Sequence, residues 1–350
     1  MRRRRLPLLV ALLFLGATVA ARADKTDEYI KARMAEFHLH GLSLVVLKDG
    51  KIIKSAGYGL ANVAKKIPAT PETVYKIGSV SKQFIATGIM LLVQEGRIGL
   101  EDPINKFVVD APPAWKPITI RHLLTHTGGL VRESPAFEMN KVQSDADVIK
   151  AAYSVPLRFA PGERWEYSNL GYFTLADVIR RVSNQPWSAY LQEKVFKPTG
   201  MLTTATTNVK PMFPLMAVGN TGNDNSRTAD DFLALRPSGA FLSTVLDLAK
   251  WDAMLYTDRV VSASTRQVMW TAVSLNSGKT QPYGLGWHVD SASGSKRVWH
   301  GGGLPGFVSH FARFVDHGLS IVALTNGDDV DLPSIVDGVA ALYLPASKAH

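Results

Sequence analysis

The sequence predicts an α+β fold: one antiparallel sheet, formed from both ends of the chain and flanked by helices, with a mainly helical subdomain inserted between them. Three observations predict it. Strand-like runs lie near the start, at Leu42–Leu47 and Lys51–Tyr58, and near the end, at Gly284–Val289, Lys296–Trp299, Gly306–Val315 and Leu319–Thr325. The stretch between them, roughly residues 100–235, carries helical spacing and loops instead. Turn signals join neighbouring strands: Asp49-Gly50 suits a type I′ hairpin, and Asp316-His317-Gly318 turns the last two strands.

Each element has a local reason. Asp24–His38 places Tyr29, Ile30, Met34 and Phe37 at helical spacing. The stretch from Ile77 to Lys82 opens a long apolar helix that runs to about Gln94, where Gly96 closes it. Thr119–Thr125 is a short helix stopped by Gly128-Gly129. Further helices are expected at Asp145–Tyr153, Leu170–Val182 and Pro186–Phe196. Thr244 followed by Asp247 reads as a capping box for a helix through Leu255, and a last helix spans Leu332–Leu344. The Pro-, Asn-, Gly- and Asp-rich segment Pro211–Asp231 is an excursion where the helical region returns to the sheet.

Composition bounds the function. A chain of 350 residues with 46% hydrophobic residues can bury a sizeable core. The net charge of +9 falls to +4 once the first 23 residues, with five arginines and no acid, are set aside. So mild an excess, with no basic stripe interleaved with aromatics, excludes a nucleic-acid partner. Arg2–Arg5 form a basic n-region, and Leu6–Ala20 is apolar but short for a membrane span. Ala21-Arg22-Ala23 is a cleavage site of the A-x-A kind. Residues 1–23 therefore read as a signal peptide and 24–350 as one exported domain, periplasmic or secreted, with no membrane span after cleavage. The chain has no cysteine, which rules out disulfides, zinc–thiolate sites and anchoring through a lipidated cysteine.

Three short motifs carry chemistry. Ser79-Val80-Ser81-Lys82 is an S-x-x-K at a helix start, and residues three apart share a helix face. The Lys82 amine can therefore sit beside the Ser79 hydroxyl, a poor nucleophile until a base takes its proton. Tyr167-Ser168-Asn169 follows the loop Pro161-Gly162-Glu163-Arg164-Trp165. Its phenol can relay protons, and its amide can orient the lysine or hold a substrate carbonyl. Trp299-His300-Gly301-Gly302-Gly303 ends one strand before the next begins, and glycines there let a substrate lie against a strand edge whose N–H groups stabilise an oxyanion. Each motif alone also has a plain structural reading: a serine cap with a solvated lysine, a buried tyrosine with an asparagine cap, a glycine-rich turn.

Taken together and in this order, the motifs resemble those of the class C β-lactamases, the serine D-Ala-D-Ala carboxypeptidases and the related esterases and D-aminopeptidases. Other segments share the resemblance: His122-Leu123-Leu124-Thr125-His126-Thr127-Gly128-Gly129-Leu130, Pro161-Gly162-Glu163, Ser243-Thr244 with Asp247-Leu248, and Tyr283-Gly284-Leu285-Gly286-Trp287. The resemblance covers roughly Gly41–Asn326. It implies a β-lactamase/transpeptidase-like fold and an exported serine hydrolase that forms an acyl-enzyme on an ester or amide of a small molecule or short peptide, without cofactor or metal. It also implies Ser79 as nucleophile, Lys82 and Tyr167 as proton-transfer groups, and Asn169, His300 and Gly302 as substrate-binding residues. The Ser79 and Gly303 N–H groups would form the oxyanion hole. His300 departs from the lysine usual in class C β-lactamases; a histidine is mostly neutral at pH 7 and grips a carboxylate less firmly. That favours the carboxypeptidase, esterase and aminopeptidase branches. The alternative is a non-catalytic penicillin-binding-like protein that binds cell-wall peptides.

Other matches fail on context. Gly301 to Gly306 fits G-x-G-x-x-G, but Phe307–Val315 alternates like a strand where a dinucleotide fold needs a helix. His122 and His126 have zinc-ligand spacing but lack the intervening glutamate and a third ligand. His38 and His40 read as surface residues, and Asp224–Asp231 lacks calcium-loop spacing.

Overall fold

A computed structural model describes residues 25–206, 213–230, 237–239 and 241–345. The signal segment 1–23 and the ends of the Pro211–Asp231 stretch lie outside them.

Seven strands form the main sheet. They are β1 (Gly41–Lys48), β2 (Lys51–Asn62), β3 (Ile67–Pro68), β4 (His288–Ala292), β5 (Ser295–Leu304), β6 (Phe307–Phe314) and β7 (Leu319–Thr325). Their order is β4-β5-β6-β7-β1-β2-β3. Every neighbouring pair is antiparallel, and β1 against β7 joins the two ends of the chain with Val45 opposite Val322. The β1–β2 hairpin turns at Asp49 and Gly50, with φ of 51° and 72°, the double positive φ of a type I′ turn.

The middle of the sheet is buried on both faces, which is why β1 and β7 read as continuous apolar runs. Side chains alternate across a strand. Leu42, Leu44, Val46, Ile321 and Ala323 pack under two terminal helices: α1 (residues 25–36), through Ile30 and Met34, and α9 (Leu332–Tyr343), through Ile335, Val336 and Val339. Val45, Leu47, Val322 and Leu324 face the larger core. That core is built on α2 (Lys82–Gln94), α3 (Ile120–Leu124), α4 (Asp145–Ala151), α5 (Asn169–Ser183), α6 (Trp187–Leu191), α7 (Val245–Met254) and α8 (Ala263–Met269). None of the described helices is long and apolar enough to cross a membrane.

Several expected boundaries move, each for a physical reason. The expected strand Gly284–Val289 starts only at His288. Before it, Gly286 takes φ 77° and the Gly284 N–H donates to the Trp287 carbonyl at 2.7 Å, so the chain turns. The expected short strand Lys296–Trp299 extends over Ser295–Leu304, because Gly301, Gly302 and Gly303 pair with His310, Ser309 and Val308. The glycine run is therefore part of the sheet rather than the end of a strand. The helix expected over Pro186–Phe196 divides into α6 and a π-helical turn, Gln192–Phe196. At Thr244 half of the capping box forms: the hydroxyl accepts from the Asp247 N–H at 3.0 Å, while the Asp247 carboxylate accepts from the Thr203 N–H at 2.7 Å.

A buried ion pair ties α7 to the sheet. Asp252 on α7 and Arg313 on β6 are both buried, and the guanidinium donates to the Asp252 carboxylate and, at 3.0 Å, to its carbonyl. Removing one partner strands the other charge in the core. Asp252→Ala is therefore expected to lower stability by about 3–5 kcal/mol, measured by urea unfolding, whereas an exposed pair such as Lys141–Glu138 contributes roughly 0–1 kcal/mol.

Candidate active site

Ser79 sits in a tight 3-10 turn, Gly78–Ser81, that leads directly into α2. The turn is held from several sides. Ser81 donates to the Gly78 carbonyl at 2.7 Å and accepts from the Phe241 N–H at 3.1 Å. Ser309 on β6 donates to the Ile77 carbonyl at 2.7 Å. Gly78 takes φ 48°. Ser79, the first residue of S-x-x-K, is thus presented at the end of the sheet next to β5.

Lys82 lies one turn on, with 0% of its surface exposed. Its Nζ is 3.3 Å from Ser79 Oγ and 2.7 Å from Asn169 Oδ1, and it also donates to the Ser238 carbonyl. The amine stands over the Tyr167 ring, 4.7 Å from its centre. Asn169 is the first residue of α5, and the cap is its neighbour Ser168, whose hydroxyl accepts from the Gly171 N–H at 3.1 Å. The Asn169 amide donates to the Glu133 carboxylate, which turns its oxygen toward Lys82.

The Tyr167 hydroxyl is buried. Burial raises its pKa above the usual tyrosine range, more than the adjacent Ser79 hydroxyl and the Arg132 charge lower it. Ser79 is close enough to exert that pull, although the contact falls short of a hydrogen bond. At neutral pH Tyr167 is a neutral phenol beside a serine hydroxyl. It can give a proton and is poorly suited to hold a negative charge.

A second set of side chains lies behind Tyr167. The Ser168 N–H donates to His126 Nδ1 at 3.1 Å, and His126 Nε2 is 3.2 Å from the Tyr283 hydroxyl. Tyr283 is 3.0 Å from His300 Nε2, and His300 Nδ1 is 2.6 Å from the Gly301 carbonyl. His126 and His300 are each 2% exposed. Burial, reinforced by Lys82 and neighbouring histidines, holds both pKa values well below 6.5, so both rings are neutral. His288, stacked on Trp299 at 4.1 Å, is pushed down by burial to about 4.

The cleft in front has a volume of about 470 Å³. Ser79, Tyr167 and His300 line it with Arg132, Trp165 and Trp299. Gly302 and Gly78 bring β5 into direct contact with the serine turn. A Cβ on Gly302 would lie 2.3 Å from the Ile77 carbonyl oxygen and 2.7 Å from the Ser79 nitrogen. One on Gly78 would lie 2.7 Å from the Gly303 nitrogen. The Ser79 and Gly303 backbones are thus neighbours at the cleft wall.

The structure brings together Ser79, Lys82, Tyr167, Asn169, His300, Gly302 and Gly303. It adds Glu133 and the Ser238 carbonyl, which no motif marked, and gives contacts to His126 and Tyr283, which stood in recurring segments without a role. His122 forms a capping box with Thr119, accepting from the Thr119 N–H at 3.2 Å. Among the described residues no three histidines or acids are grouped as a metal site.

A family model described as Beta-lactamase matches residues 26–342. Penicillin-binding protein 4* of Bacillus subtilis is 29% identical over 318 residues, which span 85% of this chain and 70% of that protein. Protein flp of Staphylococcus aureus is 28% identical over 325 residues, 90% of this chain but only 65% of its own length. The octameric penicillin-binding protein homologue from Pyrococcus abyssi superposes with a TM-score of 0.83 at 29% identity, covering 91% of this chain and 77% of that one. The D-amino acid amidase from Ochrobactrum anthropi SV3 shares the fold, with a TM-score of 0.77 at 22% identity over 94% and 98% of the two chains.

The contact at Gly302 yields a paired test. Gly302→Ala is expected to destabilise the protein by about 1–3 kcal/mol, as overpacked sites do. Gly303→Ala, whose Cβ would meet nothing within 4 Å, is expected to melt within about 1 °C of the parent. Thermal unfolding of the two variants side by side checks both.

Proposed function

The chain belongs to the beta-lactamase family, and from that premise we propose that it is a serine hydrolase that cleaves an ester or amide through an acyl-enzyme on Ser79. The observation that carries the proposal is the Lys82 amine, shut away from water and 3.3 Å from the Ser79 hydroxyl.

The roles follow from the contacts. Lys82 accepts the Ser79 proton as Oγ bonds to the substrate carbonyl carbon. Tyr167, kept protonated by burial, gives its proton to the leaving oxygen or nitrogen as the scissile bond breaks, and recovers one from Ser79 by way of Lys82. The N–H groups of Ser79 and Gly303 face the oxyanion. Asn169, itself held by Glu133, keeps Lys82 in line. Water then attacks the acyl carbon as it gives a proton to Lys82, and the Ser79 oxygen leaves with that proton. His300, Gly301 and Gly303 shape the wall, and Gly302 backs it against the serine turn. A buried neutral His300 supplies no cation for a substrate carboxylate, which supports the esterase and peptidase branches over a β-lactamase. Arg2–Arg5, the apolar run and Ala21-Arg22-Ala23 support export.

The test is intact-protein mass spectrometry after mixing with a p-nitrophenyl ester or a chromogenic cephalosporin, alongside turnover. The parent is expected to carry an acyl mass on Ser79 and to turn over the ester faster than the cephalosporin. Ser79→Ala is expected to lose both adduct and turnover. Tyr167→Phe is expected to slow amide hydrolysis by about 10²–10⁴-fold and p-nitrophenyl ester hydrolysis by less, because p-nitrophenolate leaves without a proton. Turnover that survives in Ser79→Ala would overturn the assignment.

A further inference from the structure

We infer that Tyr283 is a positioning residue: its hydroxyl joins His126 to His300 in a buried chain that sets the two walls of the cleft against each other, and this link is why position 300 holds a histidine. The link itself stands on geometry; its effect on catalysis rests on the reading of Ser79 and Tyr167 proposed above.

The chain runs from Ser168, next to Tyr167, to Gly301 in β5. Backbone groups fix its direction from both ends. The Ser168 N–H can only donate, so neutral His126 accepts at Nδ1 and carries its proton on Nε2. The Gly301 carbonyl can only accept, so neutral His300 carries its proton on Nδ1 and accepts at Nε2. Tyr283 lies between two nitrogens, one a donor and one an acceptor, and a hydroxyl serves both at once. Its own ring is 1% exposed. The neighbouring Tyr172 hydroxyl donates to the Leu124 carbonyl at 3.0 Å, so its proton is committed elsewhere. All four contacts are satisfied by a single placement of protons.

That placement admits no additional proton. A proton on His126 Nδ1 would face the Ser168 N–H. One on His300 Nε2 would turn the Tyr283 hydrogen off His300 and toward the Tyr172 oxygen. Either changes the links between the walls. The surroundings act in the same direction: His300 faces His288, His310 and Lys82, and His126 faces Lys82, His288, His300 and Arg132. Asp290, the acid beside His288, is paired with Arg297 at 2.9 Å. A lysine at position 300 could only donate, and the Tyr283 hydrogen would lose its nitrogen acceptor and be left to the Tyr172 oxygen. Because His126 also packs on the Tyr167 ring at 4.2 Å, a broken chain would release the phenol as well as the strand.

Long-range nitrogen–proton NMR on the full chain labelled in histidine reads the tautomers directly. His126 is expected as the Nε2–H form and His300 as the Nδ1–H form, each staying neutral where an exposed histidine takes up its proton. Substitution to Gln at each position assigns the signals. Tyr283→Phe keeps the ring and removes the link. It is expected to raise the pH at which His300 takes up a proton, to move the acid limb of kcat/KM upward with it, and to lower kcat about tenfold or more with a smaller change in KM, as misplacement of a reacting group does. The opposite tautomer on either ring of the parent protein would overturn the inference. So would an unchanged acid limb in Tyr283→Phe. The tautomer measurement needs neither a variant fold nor turnover. A parent that hydrolyses nothing would count against the proposed function and leave the chain tested on its own.

Discussion

Lys82 places an amine where water does not reach, and a polar group buried there without partners costs several kcal/mol. The fold supplies partners from separate parts of the chain: Ser79 one helical turn back, Asn169 at the start of α5, and the carbonyl of Ser238. Each must be brought to the same point, so α2, α5 and the segment at Ser238 are fixed relative to one another. Glu133 extends the requirement, because it decides which end of the Asn169 amide faces the lysine. The serine hydroxyl and the tyrosine phenol then share one small volume with the amine, which is the condition for passing a proton among them.

The sheet meets this constraint from the other side. β1 and β7 join the termini and are covered on both faces, so they form a rigid base. β5 extends beyond its predicted end through three glycines that pair with β6 and pass directly against the Ser79 turn. Ser309 and Gly302 set that approach, one by a hydrogen bond to Ile77 and the other by having no side chain. The cleft therefore has one wall made of helix ends and loops and another made of a strand, with neutral rings bridging behind it.

Much of this was legible in the sequence, and the limits have physical causes. The sheet from both termini followed from strand periods and two turn signals. Ser79 and Lys82 stood out because helical spacing makes residues three apart neighbours, and Tyr167 and Asn169 because a short motif sets them two apart. The contacts of His300 were hidden: Tyr283 is seventeen positions away and His126 far earlier in the chain. Glu133 and Ser238 were missed because a carboxylate after a glycine turn and a bare carbonyl carry no motif. The glycine run was read as a strand end because glycine weakens strand propensity, while pairing to β6 and packing on Ser79 decide the outcome.

The most direct test of the account is the single-turnover rate at which Ser79 is acylated in Lys82→Gln, followed by intact mass, with near-ultraviolet circular dichroism confirming that the core is packed. Glutamine can still hydrogen-bond at that point but cannot take a proton from Ser79. The account predicts a native-like spectrum and acylation slowed by about 10²–10⁴-fold. Acylation at the parent rate in a folded Lys82→Gln protein would contradict it, because the buried amine would then have no part in activating the serine.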